Sequence, residues 1–284
     1  MALMSTVFFG VNPIVLAGGL QHSNSSTAVF VGLLSGLTIL MMAAPGLGGL
    51  NFDQLTAQST GYFILSGIFG VILGRSALYM AIKRLGSARA STIKHAAPVV
   101  TAFLALIYLH EQIGIERWGG IALVTIGLMI MGNMLSKKHF NRMTLSGAAF
   151  ASLAPISYGI RPIFSKIGLN LAPLPLTATF ISYLTAVIAY AAFFLLLRRP
   201  KLELANSRSL VHFALAGVMQ VLGLLLLNAA LNQSDVTMIY PISASAPLLT
   251  FLLSFTFLKN VERLTFWDLI GTISVVLGVV VLLI

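Results

Sequence analysis

An arginine inside an apolar run is the first residue of this chain that invites chemistry. Arg161 stands beside Pro162 in the stretch 144–168, whose only other charge is Lys166. A guanidinium is planar, always charged, and donates in a fork that matches a carboxylate or phosphate. Charge inside a bilayer is costly and marks function by default. Pro162 removes a backbone bond, which is tolerated where a cavity or a partner satisfies the freed carbonyl. A second reading stays open, in which Arg161 snorkels to the headgroups from about two turns inside its run.

Arg75 and Lys94 pose the same choice. Lys83 and Arg84 set Arg75 near a membrane surface, and Lys94 lies close to the start of its run. His95 carries the side chain that titrates near neutral pH, although a buried, hydrogen-bonded histidine is the preferred reading. Asn12, Tyr158, Asn228, Tyr240 and Ser243 add neutral hydrogen-bonding groups to the candidate substrate site. A hydroxyl within a helix bundle also readily bonds the preceding turn's carbonyl. Pro13, Pro98, Pro162 and Pro247 are expected to bend their helices.

The acids are placed differently. Asp53, Glu111, Glu116, Glu203, Asp235, Glu262 and Asp268 all fall at breaks or run ends. An exchanger of cationic drugs needs an intramembrane carboxylate, so that mechanism is not expected. A membrane enzyme needs acid–base pairs, a metal cluster or an activated nucleophile. With no cysteine and no paired histidines, neither catalysis nor a metal or other cofactor is expected.

The elements that must hold these side chains follow from hydropathy. Of 284 residues, 58% are hydrophobic and 8% charged, with mean hydropathy +0.97. Soluble domains carry about 25% charged residues. A bilayer accommodates such a chain in runs of about 20 apolar residues. The runs are continuous rather than alternating, which excludes a barrel. They predict ten transmembrane helices at 2–20, 27–45, 59–81, 90–109, 116–135, 144–168, 174–197, 208–230, 236–257 and 265–284. The first lacks a basic leader and reads as a span rather than a signal peptide. The break 46–59 is expected to lie along the interface. The net charge of +10 suits a loop surface against anionic lipid, and no basic stripe implies nucleic acid. The expected partners are a small-molecule metabolite and membrane lipid, with monomer and homodimer both open.

The stretch 137–142 divides the chain, and its halves resemble one another. Gly10, Pro13, Ile14, Gly19 and Leu20 match Gly159, Pro162, Ile163, Gly168 and Leu169 at an offset of 149. Ala81, Pro98 and Thr101 meet Ala230, Pro247 and Thr250 at the same offset. Glu111, Gly120 and Gly127 then meet Glu262, Gly271 and Gly278 at 151. The domains are therefore 1–138 and 139–284, each with five helices. An odd number inverts the second copy, so the fold class is all-α integral membrane with two inverted five-helix repeats. Gly32 with Gly36, Gly70 with Gly74, and the glycines of runs 5 and 10 provide small faces for packing.

Basic residues test this map. Breaks after runs 3, 5, 7 and 9 hold Lys83, Arg84, Arg89, Lys94, Lys137, Lys138, Arg142, Arg198, Arg199, Lys201, Arg208, Lys259 and Arg263. The opposite face has Arg117 and Lys166. By the positive-inside rule, both termini of a multi-pass protein of the cell (inner) membrane lie outside.

These residues resemble the EamA-type branch of the drug/metabolite transporter superfamily, over the whole chain. The marks are Gly10 and Gly159, the runs from Ala81 to Pro98 and from Ala230 to Pro247, and the glutamates Glu111 and Glu262. Where the family often has Trp before the first glycine, this chain has Phe9 and Tyr158. Where it often has Gly before the glutamate, this chain has His110 and Val261. The resemblance implies a carrier of small metabolites, often an exporter of amino acids, with a cavity lined by helices 1, 3, 4, 6, 8 and 9. Eukaryotic relatives carrying nucleotide sugars have cytosolic termini, opposite to the charge count. The expected function is a secondary transporter, exporter or exchanger, of small anionic or zwitterionic metabolites by alternating access. A channel-like facilitator and a multidrug efflux carrier are the alternatives.

Overall fold

Apolar runs this long satisfy their backbone without water by coiling, and the regular structure among the described residues is all helical. The computed structural model describes residues 1–20, 23, 25–74, 77, 97–131, 145–197, 206–246, 249 and 266–283. Expectations placed on Arg75, Lys94, His95, Pro247, Glu262 and the 137–142 divide lie outside the described residues. Helix α1 is Ala2–Leu20 and α2 is Ser25–Ala43. α3, Ala57–Ser66, runs on as a π-helical segment, Gly67–Gly74. α4, Ala97–Leu104, does the same over Ala105–Leu109. Then come α5 (Ile115–Met131), α6 (Leu145–Leu171), α7 (Pro175–Leu197), α8 (Ser207–Gln233), α9 (Val236–Ala244) and α10 (Phe266–Leu283). Among the described residues, four stretches are long and apolar enough to cross a bilayer: Ser26–Ala43, Ala57–Gly74, Pro175–Ala192 and Ser207–Gln233. The π-helical segments are not anticipated by the apolar pattern, which is blind to a widened turn. Pro98 stands in the first described turn of α4, while α6 continues through both Pro155 and Pro162.

The described chain packs as two compact units, and each draws on both halves of the sequence. One comprises Met1–Ile72 with Phe164–Gln233, the other Leu73–Ile163 with Ser234–Ile284. These packing units do not coincide with the expected divisions 1–138 and 139–284.

In the first unit, α8 packs on α1 and α2, and α7 on α2 and α3. Lipid supplies no hydrophobic drive between helices, so small residues and hydroxyl bonds must bring them together. Gly32 meets Gly217, and Ser35 Oγ donates to the Ala214 carbonyl at 3.1 Å. Gly19 lies under the Phe213 ring, and its repeat equivalent Gly168 lies under Phe63. Ser66 and Ser165 share a buried bond of 2.8 Å, and Ser182 Oγ donates to the Phe63 carbonyl at 3.0 Å. Lys166, expected on the less basic face, donates Nζ to the Leu231 carbonyl at 2.7 Å, in the last turn of α8. In the break 46–59, Phe52 meets the edge of Phe180 at a ring separation of 6.0 Å. Thr56 then caps α3 in a reciprocal bond with Ser59.

In the second unit, α5 and α10 pair along their glycines. A Cβ at Gly127 would meet the Gly271 carbonyl oxygen at 2.7 Å, and one at Gly278 would meet that of Gly120 at 2.8 Å. Residue numbers rise along one helix as they fall along the other, so the pair is antiparallel. The offset of 151 turns the contact Gly120–Gly278 into Gly271–Gly127, the second contact of the same pair. Ser274 Oγ donates to the Leu123 carbonyl at 2.8 Å, joining two positions that are themselves 151 apart. Ala102, Ile121, Val124, Leu128, Val275 and Leu282 fill the core around this seam.

After the π-helical end of α4, His110 adopts φ 53°, ψ 29°. This is the left-handed region, which disfavours an L side chain by about 1–2 kcal/mol. It accounts for glycine being common at this place in the family the sequence resembles.

Gly127→Ala should destabilise the protein by about 1–3 kcal/mol, because its Cβ collides with backbone. Gly119→Ala, with nothing within 4 Å, should be neutral or stabilising by up to about 1 kcal/mol. Thermal melting in detergent compares the two. In the same assay His110→Gly should gain about 1 kcal/mol by removing the left-handed penalty.

Candidate functional site

Helix α6 positions Tyr158 and Arg161 three residues apart, on one face. Arg161 is 7% exposed, so the structure buries the charge rather than leaving it in the open. A glycine sits between them: a Cβ at Gly159 would meet Val100 Cβ at 2.8 Å and the Ala97 carbonyl at 3.1 Å. Thr101 Oγ1 lies at 3.1 Å from the Gly159 carbonyl and 3.0 Å from that of Ala97, tying α4 to this turn of α6.

The proline explains the tyrosines. A helical N–H at position 162 would bond the carbonyl of Tyr158, four residues earlier, and Pro162 has none. The Tyr240 hydroxyl from α9 donates to that carbonyl at 2.9 Å. Arg161 is near enough to act electrostatically on the same hydroxyl. Ser243, one turn beyond Tyr240 on α9, is buried. Tyr158, Arg161, Tyr240 and Ser243 therefore all belong to the second unit. That combination can hold an anionic group at Arg161 and offer the phenol oxygen as an acceptor.

The remaining described candidates belong to the first unit and have other partners. Asn12 Nδ2 donates to the Ala216 carbonyl of α8. Asn228 is 0% exposed and donates Nδ2 to Thr179 Oγ1 at 2.9 Å, which donates in turn to the Pro175 carbonyl at 2.7 Å. Its Oδ1 has no partner among the described residues. Pro13 lies within α1. The hydroxyls of Thr6, Thr38, Thr179 and Thr185 bond the carbonyl four residues earlier, as a helix hydroxyl readily does. Sequence reasoning left out Thr101 as a site-shaping residue, although its match to Thr250 was visible. It also left out Pro155 and Pro241, which stand inside α6 and α9. Among the described residues no cluster of His, Cys, Asp or Glu could hold a metal.

Tyr240→Phe should cost about 1 kcal/mol by leaving the Tyr158 carbonyl unpaired. Pro162→Ala restores an N–H for that carbonyl. It should therefore be more favourable in the Tyr240→Phe background than in the wild type by about 1 kcal/mol, measured as a double-mutant cycle in unfolding.

Comparison with known proteins agrees with this arrangement of helices. Residues 1–133 and 145–284 match the EamA-like transporter family. A protein named as a probable amino-acid metabolite efflux pump from Salmonella typhimurium is 24% identical over 98% of this chain and 92% of its own. An uncharacterised protein of Methanocaldococcus jannaschii is 28% identical over 46% of this chain and 90% of its own length. A solved crystal structure superposes with a TM-score of 0.80 over 99% of this chain and 94% of its own, at 14% identity, a likeness of fold alone. The chain belongs to the EamA-like transporter family, and is a multi-pass membrane transporter.

Proposed function

We propose that this transporter exports or exchanges small anionic or zwitterionic metabolites such as amino acids, by alternating access. Arg161 carries the reading: a buried guanidinium, in the same packing unit as the Tyr240 phenol, in a chain whose acids all stand at breaks or run ends. Its complement is a carboxylate or phosphate on the cargo. The Tyr240 oxygen, whose proton goes to Tyr158, retains lone pairs for an ammonium. The relative named for amino-acid metabolite efflux supports the same class.

We further propose ten spans in two inverted five-helix repeats, in the cell (inner) membrane. The antiparallel α5–α10 seam that maps onto itself supports inversion, as do two separate family matches. The Methanocaldococcus relative, nearly spanned by a match to half of this chain, supports the five-helix unit. Without an intramembrane carboxylate, exchange or facilitated diffusion fits better than proton drive.

Counterflow in proteoliposomes, tried against amino acids, organic acids and phosphorylated metabolites, tests the reading. A saturable signal is expected, and Arg161→Ala should raise the half-saturation concentration at least about tenfold, the loss of a charge-assisted bond. Unchanged saturable transport in that variant would remove Arg161 from the site. Conductance without saturation would point to a channel instead.

Orientation follows from labelling, because the chain has no cysteine. Ile284→Cys should react with an impermeant maleimide in intact cells, and Glu203→Cys only after permeabilisation.

A further inference from the structure

The first turn of α9 is capped by a carboxylate from elsewhere in the chain. Glu111, on the loop between α4 and α5, accepts from the Val236 N–H at 2.8 Å, the Thr237 N–H at 3.1 Å and the Thr237 hydroxyl at 2.8 Å. The first N–H groups of a helix have no partner within it, and a carboxylate there also meets the positive end of the helix dipole. A residue already stands at the ordinary capping position. Asp235 has the extended backbone of an N-cap, φ −64°, ψ 146°, yet its side chain makes no capping bond. Its carboxylate instead pairs with Arg117 Nη1 of α5 at 2.8 Å. Aspartate is among the best N-cap residues. The first turn of α9 therefore has two carboxylates able to serve it, and loop 110–114 with the start of α5 grips both.

The grip on Asp235 is weak. The side chains of Arg117 and Asp235 are 35% and 49% exposed, and ion pairs in contact with solvent contribute little. The site of exchange is tightly packed by contrast, with Thr237 1% exposed. His110 supplies the geometry, since its left-handed backbone turns the chain immediately before Glu111.

We propose that Glu111, Asp235 and Arg117 form a cap-exchange latch on α9. In the structure Glu111 caps the helix and Arg117 holds Asp235 aside. In the second state loop 110–114 withdraws, Arg117 releases Asp235, and Asp235 turns onto the N–H groups of Thr237 and Met238. The loop can then leave α9 with the Thr237 N–H still paired, so that fewer backbone donors are stranded in apolar surroundings, where they are expensive. α9 carries Tyr240 and Ser243, so the latch controls the helix that helps build the candidate site. Glu111 and Asp235 act as positioning residues, and the kinetic part of the test rests on the transport reading above.

Asp235→Ala and Arg117→Ala break the same ion pair, but only Asp235→Ala deletes the alternative cap. Melting in detergent should find the two alike. Counterflow should find Vmax about fivefold lower in Asp235→Ala, with KM unchanged, and near wild type in Arg117→Ala. In melting, Glu111→Ala should be mild alone, improved by Arg117→Ala, which frees Asp235, and far worse than additive with Asp235→Ala. Indistinguishable transport by the two single variants overturns the latch, as does additivity of Glu111→Ala with Asp235→Ala. If the wild type shows no counterflow of any solute, the transport reading fails, and the melting series still decides the latch.

Discussion

A peptide group in hydrocarbon has no water to turn to, and each one left unpaired costs several kcal/mol. The described structure is organised around that cost. Threonine hydroxyls fold back onto the carbonyl of the preceding turn, as Thr179 does onto Pro175 and Thr185 onto Ile181. The C-terminal turn of α8 takes the Lys166 ammonium on the Leu231 carbonyl, a cation at the end of the helix that favours one. The start of α9 takes the Glu111 carboxylate, at the end that favours an anion. At the kink made by Pro162, the freed Tyr158 carbonyl takes the Tyr240 hydroxyl. Charges and phenols that look dedicated to a substrate are thus also needed by the backbone.

The same constraint separates what could be read from sequence from what could not. A run must be apolar along its whole length to cross, so the positions of the helices stand out in composition. α1 and α7 start or end within a residue of the expected runs. Helix faces do not stand out, because a helix that is apolar all round carries no stripe saying which neighbour it meets. That is why the packing units, each interleaving both sequence halves, were not legible. The candidate site divides along the same line. Arg161 announces itself by charge and Tyr240 does not, yet the link between them was implicit. A proline at 162 frees the carbonyl at 158, and something had to bond it. Asn12 and Asn228 read as substrate contacts because they are polar in apolar runs; their amides bond the Ala216 carbonyl and Thr179.

Glycine tells the opposite story. Matches of Gly120 with Gly271 and Gly127 with Gly278 were visible as sequence register, and they recur as the surface along which α5 and α10 meet. Without a hydrophobic drive, two helices gain most by dispersion when their backbones approach closely, and only glycine permits an approach in which a Cβ would lie under 3 Å from a carbonyl. The glycines matched in sequence register are therefore the glycines along which α5 and α10 dock, and a change on one helix of the seam is felt on the other.

On the proposed two-repeat reading, matched positions that differ in charge give the two halves different work. Position 161 is Arg where position 12 is Asn, at the equivalent place in the first helix of each repeat. An arginine at position 12 as well would bury a second guanidinium, at a further cost in desolvation. Asparagine resolves this without charge, since its amide bonds a backbone carbonyl of α8. On the proposed reading, the cargo is asymmetric because at this matched pair of positions a guanidinium stands in only one half.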